Sequence, residues 1–206
     1  MRFFHGLSLG AKVAASFAVV GVAAAVAGLG TFATFTSSTS ASNTVTTGTV
    51  VIALGATGAQ TNRLDINAVD VASDDNIQRT VDLLNTGSIA LSTLTLTTTA
   101  APSSLLDTDG TNGLQLTIDT CDVPWTEAGP PYTYTCSGTS ASVLASRAVI
   151  GATLTLNNLT AFGAAPTTDH LRIQMHLPVG AGNTFQGLTS TVSFNFTATQ
   201  RAGTDK

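Results

Sequence analysis

The chain has 206 residues, of which only 10% are charged, and a net charge of −4, whereas about 25% of the residues in an ordinary soluble domain are charged. It has no basic cluster to neutralise phosphates, which argues against nucleic acid as a partner. Lysine occurs only as Lys12 and Lys206 and glutamate only as Glu127; the neutral Thr/Ser surface that replaces them points away from a cytosolic enzyme and toward an exported protein.

The chain opens with Arg2, His5 and Lys12, followed by an uncharged run of mostly Ala, Val and Gly from Val13 to Leu29. A small-residue stretch, Gly28 to Thr34, comes next. This is the layout of a secretory signal peptide, predicted as a helix over 1–34 with cleavage at Ala33 or Thr34 by signal peptidase. The alternative is a retained single span, because about 17 apolar residues is the lower limit for crossing a bilayer. Membrane contact is expected only through the uncleaved signal, and the mature protein is expected to be secreted or extracellular.

Residues 35–47 are almost entirely Ser, Thr and Ala. Such a segment lacks the apolar side chains to pack alone and is expected to be flexible in the monomer. Residues 48–206 are expected to form one β-sandwich domain, because β-branched Thr and Val suit a pleated surface and short runs with period-two alternation recur between turn residues.

The predicted strands are, in order, Val50–Leu54, Asn62–Val71, Ile77–Leu84, Ile89–Thr99, Leu114–Cys121, Tyr132–Cys136, Thr153–Leu159, His170–Leu177 and Leu188–Thr199. A turn at Asn85-Thr86-Gly87-Ser88 separates the third from the fourth. In the fourth, the alternation changes phase between Leu91 and Leu94, which predicts a bulge or a crossing between sheets. Ser140–Arg147 reads as a short helix. In the last run Val192, Phe194, Phe196 and Ala198 share one face and Ser193, Asn195 and Thr197 the other, as in an antiparallel sheet with one wet side. The fold class expected is all-β, an antiparallel β-sandwich or jelly roll.

Cys121 and Cys136 are the only cysteines. In an oxidising compartment they can pair and staple a long turn; two unpaired thiols are the alternative. Trp125, Tyr132 and Tyr134 in or beside that turn read as a local cluster covering the sulfurs in preference to a contact patch of a monomeric surface-binding module.

Little in the sequence nominates a catalytic centre. His170 and His176 share one strand face with Arg172 and Gln174, roughly 20 Å apart at the strand rise, too far to bind one metal. No zinc, P-loop, Rossmann or nucleophile-elbow motif occurs, and no catalytic, cofactor-binding or metal-ligating residue is expected. The oxygen-rich Asp107-Thr108-Asp109-Gly110 raises calcium at Asp107 and Asp109, but the twelfth position is Ile118 where a calcium loop needs glutamate, so a polar connection is the preferred reading. Asn158-Leu159-Thr160 and Asn195-Phe196-Thr197 match the glycosylation pattern, as chance allows in a Thr-rich chain.

Three places carry a family resemblance. Gly30-Thr31-Phe32-Ala33-Thr34-Phe35 runs through a polar segment to Thr47-Gly48-Thr49-Val50; Asn76 to Ser88 forms a strand ending in N-x-G; and Asn183-Thr184-Phe185-Gln186-Gly187 precedes Phe194-Asn195-Phe196-Thr197-Ala198-Thr199-Gln200. In these the chain resembles the TasA/camelysin family of bacterial exported proteins, well at both ends and poorly in the middle, where the Cys121–Cys136 insert looks like a subgroup feature. The resemblance implies a jelly roll that assembles with copies of itself, or with other surface or matrix proteins, into fibres of an extracellular biofilm matrix. Strand addition is the expected mechanism, with the freed segment from Thr34 to Val45, including Phe35 and Thr36, lying on an open sheet edge of the next subunit. The alternative is a cell-surface metallo-endopeptidase of camelysin type.

Overall fold

A computed structural model describes residues 50–64, 71–163 and 165–203. The expected signal segment with Ala33 and Thr34, and the segment with Phe35, Thr36 and Val45, lie outside the described residues.

The strands are β1 (Ile52–Leu54), β2 (Asn76–Asn85), β3 (Leu91–Ala100), β4 (Gln115–Cys121), β5 (Thr126–Ala128), β6 (Thr133–Thr135), β7 (Ser140–Ala148), β8 (Gly151–Thr155), β9 (Thr167–His176) and β10 (Val192–Gln200). One helical turn, α1 (Leu105–Thr108), and 3-10 turns at Thr160–Phe162 and Asn183–Phe185 interrupt them. All pairings are antiparallel: β1-β2-β9-β4-β7 form one sheet, β10-β3-β8 a second, and β5-β6 a separate hairpin.

The two large sheets share one core. Val81 and Leu83 of β2, Leu171, Ile173 and Met175 of β9, Leu116 and Ile118 of β4 and Val143 of β7 meet Leu91, Leu94 and Leu96 of β3 and Leu154 of β8. This is alternation at work: on β9 every second residue from Asp169 to Met175 is buried, while His170, Arg172, Gln174 and His176 face outward, as the sequence predicts. Each fully buried Leu or Ile contributes about 1.5–3 kcal/mol relative to exposure. A tight turn through Val149 and Ile150 carries the chain from β7 in one sheet to β8 in the other.

The phase change between Leu91 and Leu94 is a bulge: Gln200 pairs with Leu91 and Thr199 with Thr93, leaving Ser92 unmatched. The Ser92 hydroxyl donates instead to the carbonyls of Thr199 and Gln200.

Three expectations are corrected. Ser140–Arg147 is not a helix but most of β7. Between Leu116↔Arg147, Ile118↔Leu144 and Asp119↔Ser142, β7 twice takes one residue more than β4, and these two bulges erase the period of two that would have identified a strand. The predicted strand Asn62–Val71 is, in its described part, one isolated bridge, Asn62↔Val81; Arg63 and Leu64 are irregular and residues 65–70 lie outside the described set. The Cys121–Cys136 turn is itself a hairpin, β5 paired with β6, where only the second arm is legible.

Candidate functional site

Two features of the sandwich stand out: an open edge on the three-stranded sheet, and the disulfide-closed hairpin over the outer face of the five-stranded sheet.

Among the described residues strand β10 pairs only with β3. Ala101 donates its backbone N–H to the Thr191 carbonyl and Thr191 donates to Pro102, and the Thr95 and Ser92 hydroxyls donate to the carbonyls of Thr197 and Thr199. The odd-numbered residues of β10 therefore direct their backbone groups at β3. In an antiparallel ladder the alternate residues direct theirs the other way, so Val192, Phe194, Phe196 and Ala198 present their N–H and C=O groups at the outer edge, without a ladder partner among the described residues. Their side chains lie on the core side yet are only half-buried. The edge carries no Lys and no Pro, the residues that usually guard such edges. The β7 edge is better covered: Asn157 donates its N–H to the Val143 carbonyl and the Asn158 amide donates to Ser142.

The hairpin β5–β6 is closed by the Cys121–Cys136 disulfide. Beneath it Cys121, Trp125 and Tyr134 are buried together, with Tyr132 and Cys136 half-buried around them, so the aromatics cover the disulfide. Trp125 Nε1 donates to the His170 carbonyl at 2.8 Å, and the Arg172 guanidinium stacks over the Trp125 ring at 4.6 Å while donating to Asp119 at 2.6 Å. On the other flank Arg63 grips Glu127 with two bonds, of 2.6 and 2.8 Å, and the Tyr134 hydroxyl donates to the same carboxylate at 2.8 Å. Arg63 and Arg79 both lie over the Tyr132 ring. The bonds from Arg63 hold the Glu127 carboxyl below its ordinary value against the opposing effect of burial. Burial, then the bond to Glu127, pushes the Tyr134 phenol up to about 12.

Asp107 and Asp109 sit beside each other but do separate structural work. Asp107 caps α1 reciprocally with Ser104 and accepts from the Ser103 and Ser190 hydroxyls. Burial raises its carboxyl; the bonds from Ser103, Ser190 and the Ser104 N–H outweigh that and leave it below the usual range. Asp109 accepts the backbone N–H groups of Thr111 and Asn112, which lower its carboxyl. The Asp107 carboxylate is thus engaged in the α1 cap and that of Asp109 in the following turn.

His170 pairs through Nδ1 with Asp82 at 2.7 Å and His176 through Nε2 with Asp74 at 3.1 Å; the strand separates these pairs. Among the described residues the one trio of potential ligands that converges is Cys121, Asp122 and Cys136. Both sulfurs there are consumed by the disulfide, and Asp122 accepts the Thr139 N–H, so this donor set does not suit a metal ion. Among the described residues no helix is long and apolar enough to cross a membrane.

The open edge and the Arg63–Glu127 grip escape sequence reasoning, because both depend on which strands become neighbours. The F-x-F alternation indicates the face of β10 but not that β10 ends a sheet.

No curated protein matches the chain. The sequence model of the camelysin metallo-endopeptidase family matches residues 8–116, more than half of the length and stopping short of the cysteine hairpin. The chain belongs to the camelysin metallo-endopeptidase family.

Proposed function

We propose that the mature chain is an exported structural protein of the cell surface or extracellular matrix, with a jelly-roll winding, that self-associates into fibres by strand addition. The observation that carries this reading is the β10 edge, nine residues long, where Val192, Phe194, Phe196 and Ala198 have no ladder partner on the outer side among the described residues and Phe194 and Phe196 are only half-buried. An extended segment laid beside β10 gains main-chain hydrogen bonds for affinity, and its alternate side chains find a half-covered apolar surface. The segment from Thr34 to Val45 supplies Phe35 and Val45 for that surface and no charge to oppose pairing. Addition of one copy's segment to the next copy's edge is head-to-tail and builds an open filament.

The test is microscopy of the purified, signal-free protein over a range of concentrations, beside a form lacking residues 34–45. Filaments from the first and none from the second are expected. Equal filaments from both refute the donor role of that segment.

The family's description favours a second reading, a metallo-endopeptidase. The described residues do not fit the metal that it implies, because the one convergent trio is locked in a disulfide. Casein cleavage that is abolished by chelator and by substitution of His170 or His176 would establish the second reading over the first.

A further inference from the structure

The five-stranded sheet has its own vulnerable edge, and the fold treats it differently from β10. The outer edge of β2 is capped by β1 over Leu83–Asn85. Beyond β1 the chain continues along that edge: Gly55 donates its N–H to the Asp82 carbonyl, Asp82 donates to Thr61 at 2.7 Å, and Arg63 donates to Thr80 at 2.8 Å. A three-residue strand followed by an irregular run is a weak cover, since it brings little apolar burial of its own: Val51 and Leu54 remain exposed. The hairpin holds it in place from above. Gln60 donates its side-chain amide to the Trp125 carbonyl, the Thr80 hydroxyl donates to the Gln60 carbonyl at 2.7 Å, and Arg63 is gripped by Glu127. The hairpin is in turn anchored to the sheet's central strands, through Cys121 of β4 to Cys136 and through Trp125 to the His170 carbonyl of β9.

We infer that the disulfide-closed hairpin is a strap that keeps residues 55–63 on the β2 edge and so closes that edge to strand addition, leaving the longer β10 edge as the acceptor. Its consequence for assembly rests on the strand-addition reading: guarding the β2 edge favours addition at β10 and unbranched filaments, whereas opening it adds a further acceptor edge to each subunit and gives lateral association and tangles. The strap itself is a property of the monomer and is tested there.

Amide exchange of the monomer reads it directly, at the N–H groups of Gly55, Arg63 and Asp82. In a Cys121→Ser/Cys136→Ser variant these three are expected to exchange about tenfold faster or more, with amides of β3 and β4 changed far less, as befits a local opening. Glu127→Ala, with the disulfide intact, is expected to accelerate the same three amides, and decides the question if the cysteine variant does not fold. Unchanged protection at the three amides overturns the strap. In assembly, laterally thickened or branched filaments from the cysteine variant support the guard role, and filaments indistinguishable from those of the unaltered protein overturn it. Absence of filaments from the unaltered protein overturns the strand-addition reading instead, with the strap still decided by exchange.

Discussion

Arg63 and Glu127, 64 residues apart in the chain, meet in a two-bond pair at 2.6 and 2.8 Å, and the Tyr134 hydroxyl donates to the same carboxylate. This network ties the irregular run after β1 to the disulfide hairpin, and it links the stability of both to pH. The Tyr134 phenol is raised to about 12 by burial, then by Glu127, above the ordinary tyrosine value of about 10. The folded state holds this proton more tightly than the unfolded chain does. Its contribution is therefore complete below about pH 10 and is lost as pH rises through about 12. A phenolate absorbance titration is expected to show a component near the upper value that disappears in Tyr134→Phe. Titration of Tyr134 at the ordinary value would contradict the buried hydrogen-bonded geometry.

Acid acts through Asp107. Its folded carboxyl lies below the usual range because the hydrogen bonds from Ser103, Ser190 and Ser104 outweigh burial. The sign is opposite to that of Tyr134: the contribution is present above the unfolded value of about 3.9 and is lost as pH falls through the lower folded value. Asp107→Asn is expected to flatten that part of the stability profile below about pH 4. Asp107→Ala removes the Asp107 half of the α1 capping box and the links to Ser103 and Ser190, and should cost about 1–2 kcal/mol at neutral pH. Thermal melts across pH measure both, and a variant with an unaltered acid limb would show that other carboxylates set it.

The disulfide closes a loop with a sequence separation of 15. By the chain-entropy argument its removal costs about 3 kcal/mol, equivalent to roughly 6–12 °C in Tm for a chain of this size. Calorimetry of the Cys121→Ser/Cys136→Ser variant at neutral pH checks this, with a loss of less than about 1 kcal/mol counting against any constraint on the unfolded chain.

Much of the fold is legible in the sequence because burial imposes alternation on each strand separately. His170 to His176 reads correctly as an outward row, and the Leu91–Leu94 phase change reads as a bulge or a crossing between sheets, of which the structure has the bulge, since both are local patterns. Ser140–Arg147 misleads for a physical reason: two extra residues opposite β4 turn a strand's pattern into an irregular one. The site is less legible still. Trp125, Tyr134 and the cysteines are recognisable as a cluster from their proximity in sequence, but Gln60, Arg63 and Arg79 join them only through long-range pairing. Nothing local in Asn183 to Gln200 says that β10 lies at the margin of a sheet.

The backbone orientation of β10 provides a selective probe. The Ala198 N–H faces the outer edge, so proline there removes no ladder bond among the described residues, while Thr197 directs its backbone at β3. Ala198→Pro is expected to fold with a Tm lowered by no more than about 4 °C, and Thr197→Pro to lose considerably more. A reversed order would mean that the assignment of the two sides of β10 is wrong.

The most direct trial of the open-edge account is electron microscopy of signal-free Ala198→Pro beside the unaltered protein, at equal concentration and after equal incubation. The account predicts filaments from the unaltered protein and folded monomers from the variant. Filaments of the same abundance and form from a folded Ala198→Pro protein would contradict it.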